Sequence, residues 1–480
     1  MQTLLNFKNY GKRSRFHIIG IGGIGMSGIA EILHNFGYYV QGSDMASNAN
    51  TERLENLGIN IFIGHKTENI NMTDYVVIST SIQEDNIEYV AAKAKKIPII
   101  KRSEMLAEIM KMKTSISISG SHGKTSTTSM VASLFEAAGL APTVINGGII
   151  NAKSTNAYVG TGEFMIVEAD ESDGTFIKVP SSIGVITNID PEHMDYYKTF
   201  DNLYGAFKKF VNNLPFFGFV VICADHKVAR KLASEIIDRK VITYGIDSED
   251  VNVRAYNIRS EITGSIFDVK VRLPLNNLEY VIENVRLSIP GKHNVLNCLA
   301  AISIAAELDF GIKSIKEGLL EFKGVKRRFT KTGEINGVLF IDDYAHHPAE
   351  VQATLSTARD VLKDQEINKV IAIFQPHRYS RFVGLFDDFV ECMFDANEVY
   401  VAPIYAAGEK PIEGYDHHKL ASALAKKFPE KKIGAISGFD ELQNIYTTRT
   451  SSGDIFLFMG AGNITNWAYE LPILIDQQKN

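Results

Sequence analysis

A short segment rich in glycine and hydroxyl groups, Gly120 to Thr128, has residue types that suit the binding of a phosphate. The alternating run Ser115 to Ser119 predicts a half-buried strand before it, and apolar residues at helical spacing follow it as far as Gly139. Backbone N–H groups at the start of such a helix attract anions. Lys124 can reach the terminal phosphates of a nucleotide, and the Thr125 hydroxyl can bind Mg2+. The segment therefore predicts the use of a nucleoside triphosphate.

The glycine spacing of this segment is shorter than in the common loop Gly-x4-Gly-Lys-Thr. A glycine turn beside a solvated lysine is therefore an alternative interpretation. The strand and helix patterns on either side of the segment favour the phosphate-binding interpretation, because that arrangement aims the helix N-terminus at the loop.

A second glycine run, Gly20 to Gly25, follows an apolar strand pattern and precedes a helical one, for which Ser27 is a plausible N-cap. Asp44 lies nineteen residues after the last glycine, where a carboxylate can bind a ribose hydroxyl. This pattern is typical of a dinucleotide-binding fold, but a helix N-terminus of this kind needs only a diphosphate as its ligand. The diphosphate of UDP meets that requirement as well as the diphosphate of NAD does. A structural glycine turn is a third interpretation.

Acidic and histidine side chains follow two further apolar strand patterns. The run Glu168 to Asp173 contains four carboxylates, whose burial at a strand end would be costly without cations. Glu168 is the best metal-ligand candidate among them, since carboxylate and phosphate oxygens suit Mg2+. In the run Asn188 to Asp195, His193 can bind a second cation or a phosphate. A solvated acidic loop and a structural histidine are the alternatives.

Two clusters in the C-terminal third combine imidazoles with charged groups. Asp342 to Pro348 and Gln375 to Arg381 each terminate an apolar strand pattern, and such strand ends meet at a crevice. The histidines lack the spacing of a known metal motif, whereas arginine offers a fork for carboxylate or phosphate. Upstream, the run His293 to Asn297 leads into an apolar helix, Leu299 to Leu308, and the residue type of Asn294 alone predicts a helix cap.

Composition describes a globular enzyme of several domains. The chain has 480 residues, of which 45 % are apolar and 22 % charged, with a net charge of -6, so no nucleic-acid surface is expected. Cys223, Cys298 and Cys392 are far apart, which indicates neither a disulfide framework nor a zinc site. Apolar runs such as 216–224 fall short of the ~20 residues that span a bilayer. We expect a cytoplasmic protein without membrane insertion.

Short apolar runs alternate with helical stretches along the whole chain. Tyr75 to Ile78, Ile183 to Ile186 and Ile455 to Met459 are examples of predicted strands. Their rhythm is that of parallel sheets with crossover helices, which predicts an α/β fold. Val251 to Ile289 instead alternates repeatedly and predicts a smaller antiparallel sheet.

Three domains are expected from the order of these patterns. Residues 1–112 form a Rossmann-like N-terminal domain with the first glycine run. Residues 113–328 form a central P-loop ATPase domain, with a mostly parallel sheet and the smaller antiparallel one. Residues 329–480 form a Rossmann-like C-terminal domain.

Taken in order, the motifs resemble those of the Mur ligases over nearly the whole chain. The family's loop usually carries Thr where this chain has Ser121 and Ser126, a change that keeps a hydroxyl. The resemblance implies one domain for a UDP-sugar, one for ATP, and a Rossmann-like one that closes over both. The matching segments are Gly20 to Ser27, Gly120 to Thr125, Glu168 to Asp173, Asn188 to Asp195, His293-Asn294, Lys326 to Phe329, Asp342 to Pro348 and Gln375 to Arg381.

The resemblance also implies a reaction, the first amino-acid addition in peptidoglycan precursor synthesis. The lactyl carboxylate of UDP-N-acetylmuramate attacks the γ-phosphate of ATP, and the amine of L-alanine then attacks the resulting acyl phosphate. Mg2+ would be held by Thr125 and Glu168, with a second cation near His193. The implied ATP-binding residues are Gly120, Ser121, His122, Gly123, Lys124, Thr125, Ser126, Asn294 and Arg327.

Substrate contacts are implied in the outer two domains. His346 would face the acyl centre, and Arg378 would orient the alanine carboxylate together with His377 and Arg381. The implied residues for the UDP-sugar are Gly22, Asp44, His65 and Arg102. The implied catalytic set is Lys124, Glu168, His193, His346 and Arg378.

Other functions are compatible with parts of the pattern. A related ligase adds a tripeptide to the same UDP-sugar, but the run Pro376 to Arg381 looks like that of the alanine-adding enzymes. An NAD-dependent dehydrogenase would leave Lys124 without a role. A nucleotide switch would leave the two C-terminal clusters without one. The chain is expected to be a monomer or a weak homodimer.

Overall fold

The computed structural model describes residues 14–79, 81–151, 155–172, 174–273, 278–362 and 368–477. Asp173, the last residue of the predicted acidic run, lies outside these ranges. The chain divides into two compact units. One takes in the chain up to Tyr256 with residues 268–283 and 296–322, and the other takes in residues 257–267, 284–295 and 323 onward.

The first sheet of the larger unit has five parallel strands in the order β3-β2-β1-β4-β5. Its strands are β1 (Arg15–Ile19), β2 (Tyr39–Asp44), β3 (Asn60–Ile63), β4 (Tyr75–Ile78) and β5 (Ile99–Lys101). Its helices are α1 (Ile24–Asn35), α2 (Ala49–Asn56), α3 (Ile87–Ala94) and α4 (Arg102–Met110), with a 3-10 turn at Thr67–Ile70. The strand order reverses at β1, so a crevice opens at its carboxyl end, where Gly20 follows.

Helix α1 starts earlier than its sequence suggests. Gly23 is the N-cap, in an extended conformation, and Ser27 is fully buried within the helix. The prediction of Ser27 as the cap is therefore wrong. The helix begins directly at the end of the glycine run, which leaves its first N–H groups at the crevice.

The second sheet has ten strands in the order β15-β14-β13-β12-β11-β10-β6-β9-β7-β8. They are β6 (Thr114–Ser119), β7 (Thr143–Ile150), β8 (Thr155–Tyr158), β9 (Phe164–Glu168), β10 (Ile183–Ile186), β11 (Phe219–Cys223), β12 (Lys240–Gly245), β13 (Val253–Glu261), β14 (Gly264–Leu273) and β15 (Leu278–Leu287). The helices are α5 (Lys124–Ala137), α6 (Met194–Tyr197), α7 (Phe200–Asn212), α8 (Lys227–Glu235), α9 (Lys292–Glu307) and α10 (Ile312–Glu321), with a 3-10 turn at Thr175–Lys178.

The strands from β12 to β7 are parallel, whereas β8 runs antiparallel to β7. The predicted alternating strands 251–289 appear as β13 to β15 and continue the same sheet beyond β12. Strand β6 lies between β10 and β9. The loop after β6 is therefore flanked by the segments that follow Ile186 and Glu168.

The third sheet belongs to the smaller unit and has the order β16-β17-β21-β18-β19-β20, with only β16 antiparallel. Its strands are β16 (Thr330–Ile335), β17 (Val338–Asp343), β18 (Val370–Phe374), β19 (Glu398–Val401), β20 (Lys432–Ala435) and β21 (Ile455–Met459). The helices are α11 (Pro348–Val361), α12 (Tyr379–Gly384), α13 (Phe386–Glu391), α14 (His417–Lys427), α15 (Leu442–Arg449) and α16 (Ile464–Gln477), with a 3-10 turn at Phe439–Glu441.

The predicted α/β fold with its mostly parallel central sheet is confirmed. The boundaries at 112/113 and 328/329 stay a prediction. The three cysteines are buried and unpaired, which agrees with the expectation of no disulfide. Across the described ranges, every helix is too short or too polar to cross a lipid bilayer.

Candidate active site

The phosphate-type loop lies between β6 and α5, as predicted, and its two glycines are required there. Gly120 has a φ of +131°, and Gly123, the N-cap of α5, has a φ of +82°. A Cβ on Gly120 would lie 2.1 Å from Oγ1 of Thr187, and one on Gly123 would lie 2.4 Å from Oδ1 of Asn297. Only glycine satisfies both the backbone conformation and the available space.

Residues after β10 hold this loop from one side. The His122 N–H donates to Oδ1 of Asn188 at 2.7 Å, and the Asp190 N–H donates to Oγ of Ser121 at 2.8 Å. Sequence reasoning selected the run Asn188 to Asp195 for His193 alone, so it missed these contacts. Ser126, predicted to bind the nucleotide, is buried in the first turn of α5.

Lys124 is fixed at the loop by several partners. Its Nζ donates to the carbonyl oxygens of Gly120 at 2.6 Å and Ser121 at 3.1 Å, and lies 2.9 Å from Oε2 of the fully buried Glu171. Burial lowers the pKa of the Lys124 ammonium, but neighbouring carboxylates, foremost Glu171, outweigh it and leave the pKa raised. Burial raises the pKa of the Glu171 carboxyl to about 7, against the opposing charge of Lys124.

Glu168 and Thr125, both predicted as metal ligands, lie together beside the loop. The Gly147 N–H, from β7, donates to Oε2 of Glu168 at 2.8 Å, and the Thr125 hydroxyl also hydrogen-bonds this carboxylate. Burial raises the pKa of Glu168, which the charge of Lys124 partly offsets. The carboxylate is thus oriented by β7 and α5 at once.

His193, the third predicted metal ligand, lies in a second acidic group. Ligand atoms of Asp170, Glu171 and His193 all lie within 4.8 Å of one another. His193 has a φ of +55° and places Nε2 3.8 Å from Oε1 of Glu171. Sequence reasoning chose Glu168 from the acidic run and passed over Asp170 and Glu171. Their closeness to Glu168 was the available signal, because Glu168 is the last residue of β9 and the other two lie within three residues of it.

The first glycine loop is tied to Asp44 at the end of β2. The Gly22 N–H donates to Oδ2 of Asp44 at 2.8 Å, and the Met45 N–H donates to Oδ1 at 2.8 Å. A Cβ on Gly22 would lie 2.5 Å from Nδ2 of Asn48 and 2.9 Å from Asp44. Gly22 is therefore required for close approach. The role of Asp44 toward a ribose stays a prediction.

His65 belongs to a buried network in the first sheet. Its Nδ1 lies 3.1 Å from Oγ of Ser43 and 3.3 Å from Oε2 of Glu88, which is fully buried. Burial alone would raise the pKa of Glu88, but hydrogen bonds with His17, Ser43 and Asn69 outweigh it and hold the pKa at about 2. The contacts of His65 are thus structural, and its predicted contact with the UDP-sugar stays a prediction.

Arg102, the first residue of α4, lines a cavity that is bordered by residues from the regions of the first two sheets of the larger unit. The cavity measures about 230 Å³. The Nη1 of Arg102 lies 2.6 Å from the position that a Cβ on Gly25 would occupy. The cavity is lined by Gly25, Arg102, Asn146, Gly147, Glu168 and Asp170, among others. The structure therefore brings the first glycine loop, Arg102 and the predicted metal ligand Glu168 to one space.

In the smaller unit, Asn294 and Arg327 are engaged with backbone carbonyls. The Asn294 Nδ2 donates to the Pro290 carbonyl at 2.7 Å within the first turn of α9, so the interpretation as a helix cap is wrong. Arg327 has a φ of +63°, and its Nη2 donates to the carbonyls of Gly460 at 2.5 Å and Gly462 at 3.2 Å. Their predicted contacts with ATP stay a prediction.

Imidazoles and guanidiniums gather in the same unit. The His346 and His377 rings meet edge to face at 5.6 Å, and His377 stacks on Tyr405 at 5.6 Å with an interplanar angle of 7°. Burial lowers the pKa of His377 to about 4, and nearby positive charge adds to that effect, so the ring is neutral near pH 7. Within the described residues, the guanidiniums of Arg378 and Arg381 form no hydrogen bond or ion pair. Both remain available to an anion.

Family models match three consecutive parts of the chain. The Mur ligase family catalytic domain matches residues 15–114, the Mur ligase middle domain matches 118–305, and the Mur ligase glutamate ligase domain matches 327–462. Together these matches cover most of the chain.

Relatives and solved structures agree with the domain matches. A UDP-N-acetylmuramate–L-alanine ligase from Rickettsia felis is 57 % identical over 469 residues, which are 98 % of each chain. The crystal structure of the UDP-N-acetylmuramate-alanine ligase from Thermotoga maritima is 29 % identical, with a TM-score of 0.78 over 97 % of this chain and 100 % of that one. A murein peptide ligase from Psychrobacter arcticus shares the fold, with 20 % identity and a TM-score of 0.66 over 96 % of this chain and 98 % of that one. The chain, with its glycine loops, phosphate-type loop and arginine cluster in this order, belongs to the Mur ligase family.

Proposed function

We propose that this protein uses ATP to join L-alanine to the lactyl carboxylate of UDP-N-acetylmuramate, with release of ADP and phosphate. The observation that carries this proposal is the 57 % identity, over 98 % of both chains, with a ligase of that name. The geometry supports it, because the larger unit has a cavity that the first glycine loop shares with Glu168.

The residues near the phosphate-type loop fit a magnesium ion. Thr125 and Glu168 offer oxygen ligands, the kind that Mg2+ prefers. Glu168 is a buried carboxylate whose pKa burial raises, and a cation relieves that cost. We infer that these two residues hold Mg2+ and that His193 contributes to a second cation beside Asp170 and Glu171. When bound, Mg2+ neutralises charge on the phosphates during phosphoryl transfer.

The first chemical step brings two anions together. The lactyl carboxylate attacks the γ-phosphorus of ATP, the bond from that phosphorus to the bridging oxygen breaks, and ADP leaves. Lys124 supplies positive charge at the loop, where the N–H groups of α5 also face an anion. Arg102 lines the side of the cavity that we assign to the UDP-sugar, and Gly22 belongs to the glycine loop that reaches it at Gly25, so we assign both to holding the attacking group in place.

The second step forms the amide. The amine of L-alanine attacks the carbonyl carbon of the acyl phosphate, and phosphate leaves from the tetrahedral intermediate. We assign the alanine carboxylate to Arg378 and Arg381, because a guanidinium binds a carboxylate as a two-pronged donor. The neutral ring of His377 adds a polar surface to the site that we assign to alanine. The neighbouring ring of His346 faces the acyl centre.

We infer a cytoplasmic location, because the proposed substrates are ATP and a nucleotide sugar. We also infer domain boundaries at 112/113 and 328/329, and a monomer or weak homodimer. Size-exclusion chromatography with light scattering, at several protein concentrations, tests the oligomeric state.

A release assay tests the proposed function. ADP is measured with UDP-N-acetylmuramate and each amino acid in turn, and L-alanine should give the highest kcat/KM. Lys124→Ala serves as the inactive control. Faster turnover with a tripeptide would indicate the related peptide ligase, and tight NADH binding without ATP-dependent turnover would indicate a dehydrogenase.

A further inference from the structure

The segment that carries both free arginines is anchored by one carboxylate from another loop. Ser380 lies between Arg378 and Arg381 in the sequence, and its N–H donates to Oε2 of Glu409 at 2.9 Å. The Ser380 hydroxyl donates to Oε1 of the same residue at 2.7 Å. Both carboxylate oxygens of Glu409 thus accept from Ser380, and the Tyr379 N–H also hydrogen-bonds this carboxylate.

The two segments are joined at further points. The Arg378 N–H donates to the Tyr405 carbonyl at 2.9 Å, and the Tyr405 N–H donates to the Pro376 carbonyl at 2.9 Å. The ring of His377 stacks on that of Tyr405. Among these contacts, only that of Glu409 joins a side chain of its loop to the backbone between the two arginines.

This anchoring is needed because the arginine segment has a strained backbone. Arg378 has a φ of +65°, in the left-handed region that residues other than glycine rarely adopt. Such a conformation persists only where surrounding contacts fix it. The hydrogen bonds on both sides of Arg378, from Tyr405 and Glu409, provide those contacts.

The negative charge of Glu409 is not paired with the positive charge of either arginine. A carboxylate this close to two arginines would ordinarily pair with a guanidinium and neutralise it. Burial raises the pKa of Glu409, but the hydrogen bonds of Ser380 outweigh it and hold the pKa below its usual range, so the group is ionised near pH 7. Its oxygens nevertheless bind Ser380, and neither guanidinium forms an ion pair with any described residue.

We propose that Glu409 is a positioning residue for the amino-acid substrate: through Ser380 it fixes the segment from Arg378 to Arg381 and leaves both guanidiniums free for a substrate carboxylate. The inference rests on the proposed function. It predicts that Glu409 controls the binding of the amino acid and has little influence on ATP or the UDP-sugar.

Steady-state kinetics of Glu409→Ala, with all three substrates varied, test this. The KM for L-alanine should rise about tenfold or more, while kcat and the other two KM values change less than about threefold. Glu409→Gln keeps an acceptor oxygen for Ser380, so it should restore most of the alanine affinity. Glu413→Ala, an exposed glutamate of the same loop, is the matched control and should leave all constants unchanged.

Equal changes in all three KM values, or a lower KM for L-alanine in either Glu409 variant, would overturn the proposal. The first result would indicate general loss of structure, and the second would indicate that the negative charge opposes the substrate. Thermal unfolding of each variant is measured alongside. If the wild-type protein releases no ADP with any amino acid, the proposed function itself is wrong, which is a distinct result.

Discussion

The Nζ of Lys124 lies 2.9 Å from Oε2 of Glu171, and the same ammonium donates to two carbonyl groups of the loop that precedes it. The positive charge is therefore held at the loop by the protein itself. In the proposed function, a phosphate of ATP would compete with Glu171 for that charge.

Lys124→Ala should reduce ligation by at least about a thousandfold, because the charge that faces the transferred phosphate is lost. UDP-N-acetylmuramate should still bind within about twofold of the wild-type affinity, since Lys124 is not part of the glycine loop at β1. Isothermal titration calorimetry with the UDP-sugar measures the second quantity. Loss of both properties would contradict the assignment of the two ligands to different sheets.

Gly123→Ala and Gly139→Ala form a matched pair at the two ends of α5. Both glycines have a positive φ. A Cβ on Gly123 would contact Asn297, whereas a Cβ on Gly139 would have no neighbouring atom within 4 Å. Gly139→Ala should cost roughly 1–2 kcal/mol in unfolding free energy and leave the KM for ATP unchanged. Gly123→Ala should in addition raise that KM at least about tenfold. Equal KM values in the two variants would refute the role of the loop.

Arg381→Ala should raise the KM for L-alanine by about tenfold to a hundredfold, with a much smaller change for ATP. The reason is that its guanidinium has no partner among the described residues and is free to bind the substrate carboxylate. Lys410→Ala removes an exposed positive charge from the neighbouring loop and serves as the control. Equal effects of Arg381→Ala on the KM values of both substrates would remove the proposed role.

Glu88→Gln should make the free energy of unfolding depend less on pH in the acidic range. The pKa of Glu88 is lowered from 4.5 to about 2 in the fold, so its stabilisation is complete above pH 4.5 and disappears as the pH falls toward 2. The difference in unfolding free energy from the wild type should be roughly 3 kcal/mol near pH 7 and should fall by about half or more near pH 3. Urea unfolding at both pH values measures it.

Glu55→Gln, an exposed carboxylate of the same sheet region, is the control for this experiment. It should show no comparable change between the two pH values. A constant difference between Glu88→Gln and wild type at all pH values would mean that the network does not depend on the charge of Glu88.

Local sequence patterns were sufficient for many elements. The predicted strands Tyr75 to Ile78, Ile183 to Ile186 and Ile455 to Met459 coincide with β4, β10 and β21, because each is a buried run bounded by polar residues. The phosphate-type loop was also predicted, because its glycines, its lysine and the helix after it are adjacent in the chain.

Contacts between distant segments were not predictable in this way. The apolar alternation of β7 is interrupted at Asn146 and Gly147, yet the Gly147 N–H orients Glu168. The sequence predicted a contact of His65 with the UDP-sugar, which stays a prediction, but it gave no sign of the contacts with Ser43 and Glu88. Such roles depend on which strands become neighbours, and single-sequence patterns do not contain that information.

The cavity shared by Gly25, Arg102 and Glu168 has a consequence for inhibitor design. Its volume is about 230 Å³, and it is lined both by the glycine loop that we assign to a diphosphate and by the carboxylate that we assign to a metal. A compound with a diphosphate mimic and a metal-binding group on a short rigid linker would make its second contact intramolecularly, at a millimolar effective concentration. A bisubstrate inhibitor for this cavity therefore needs only a compact linker.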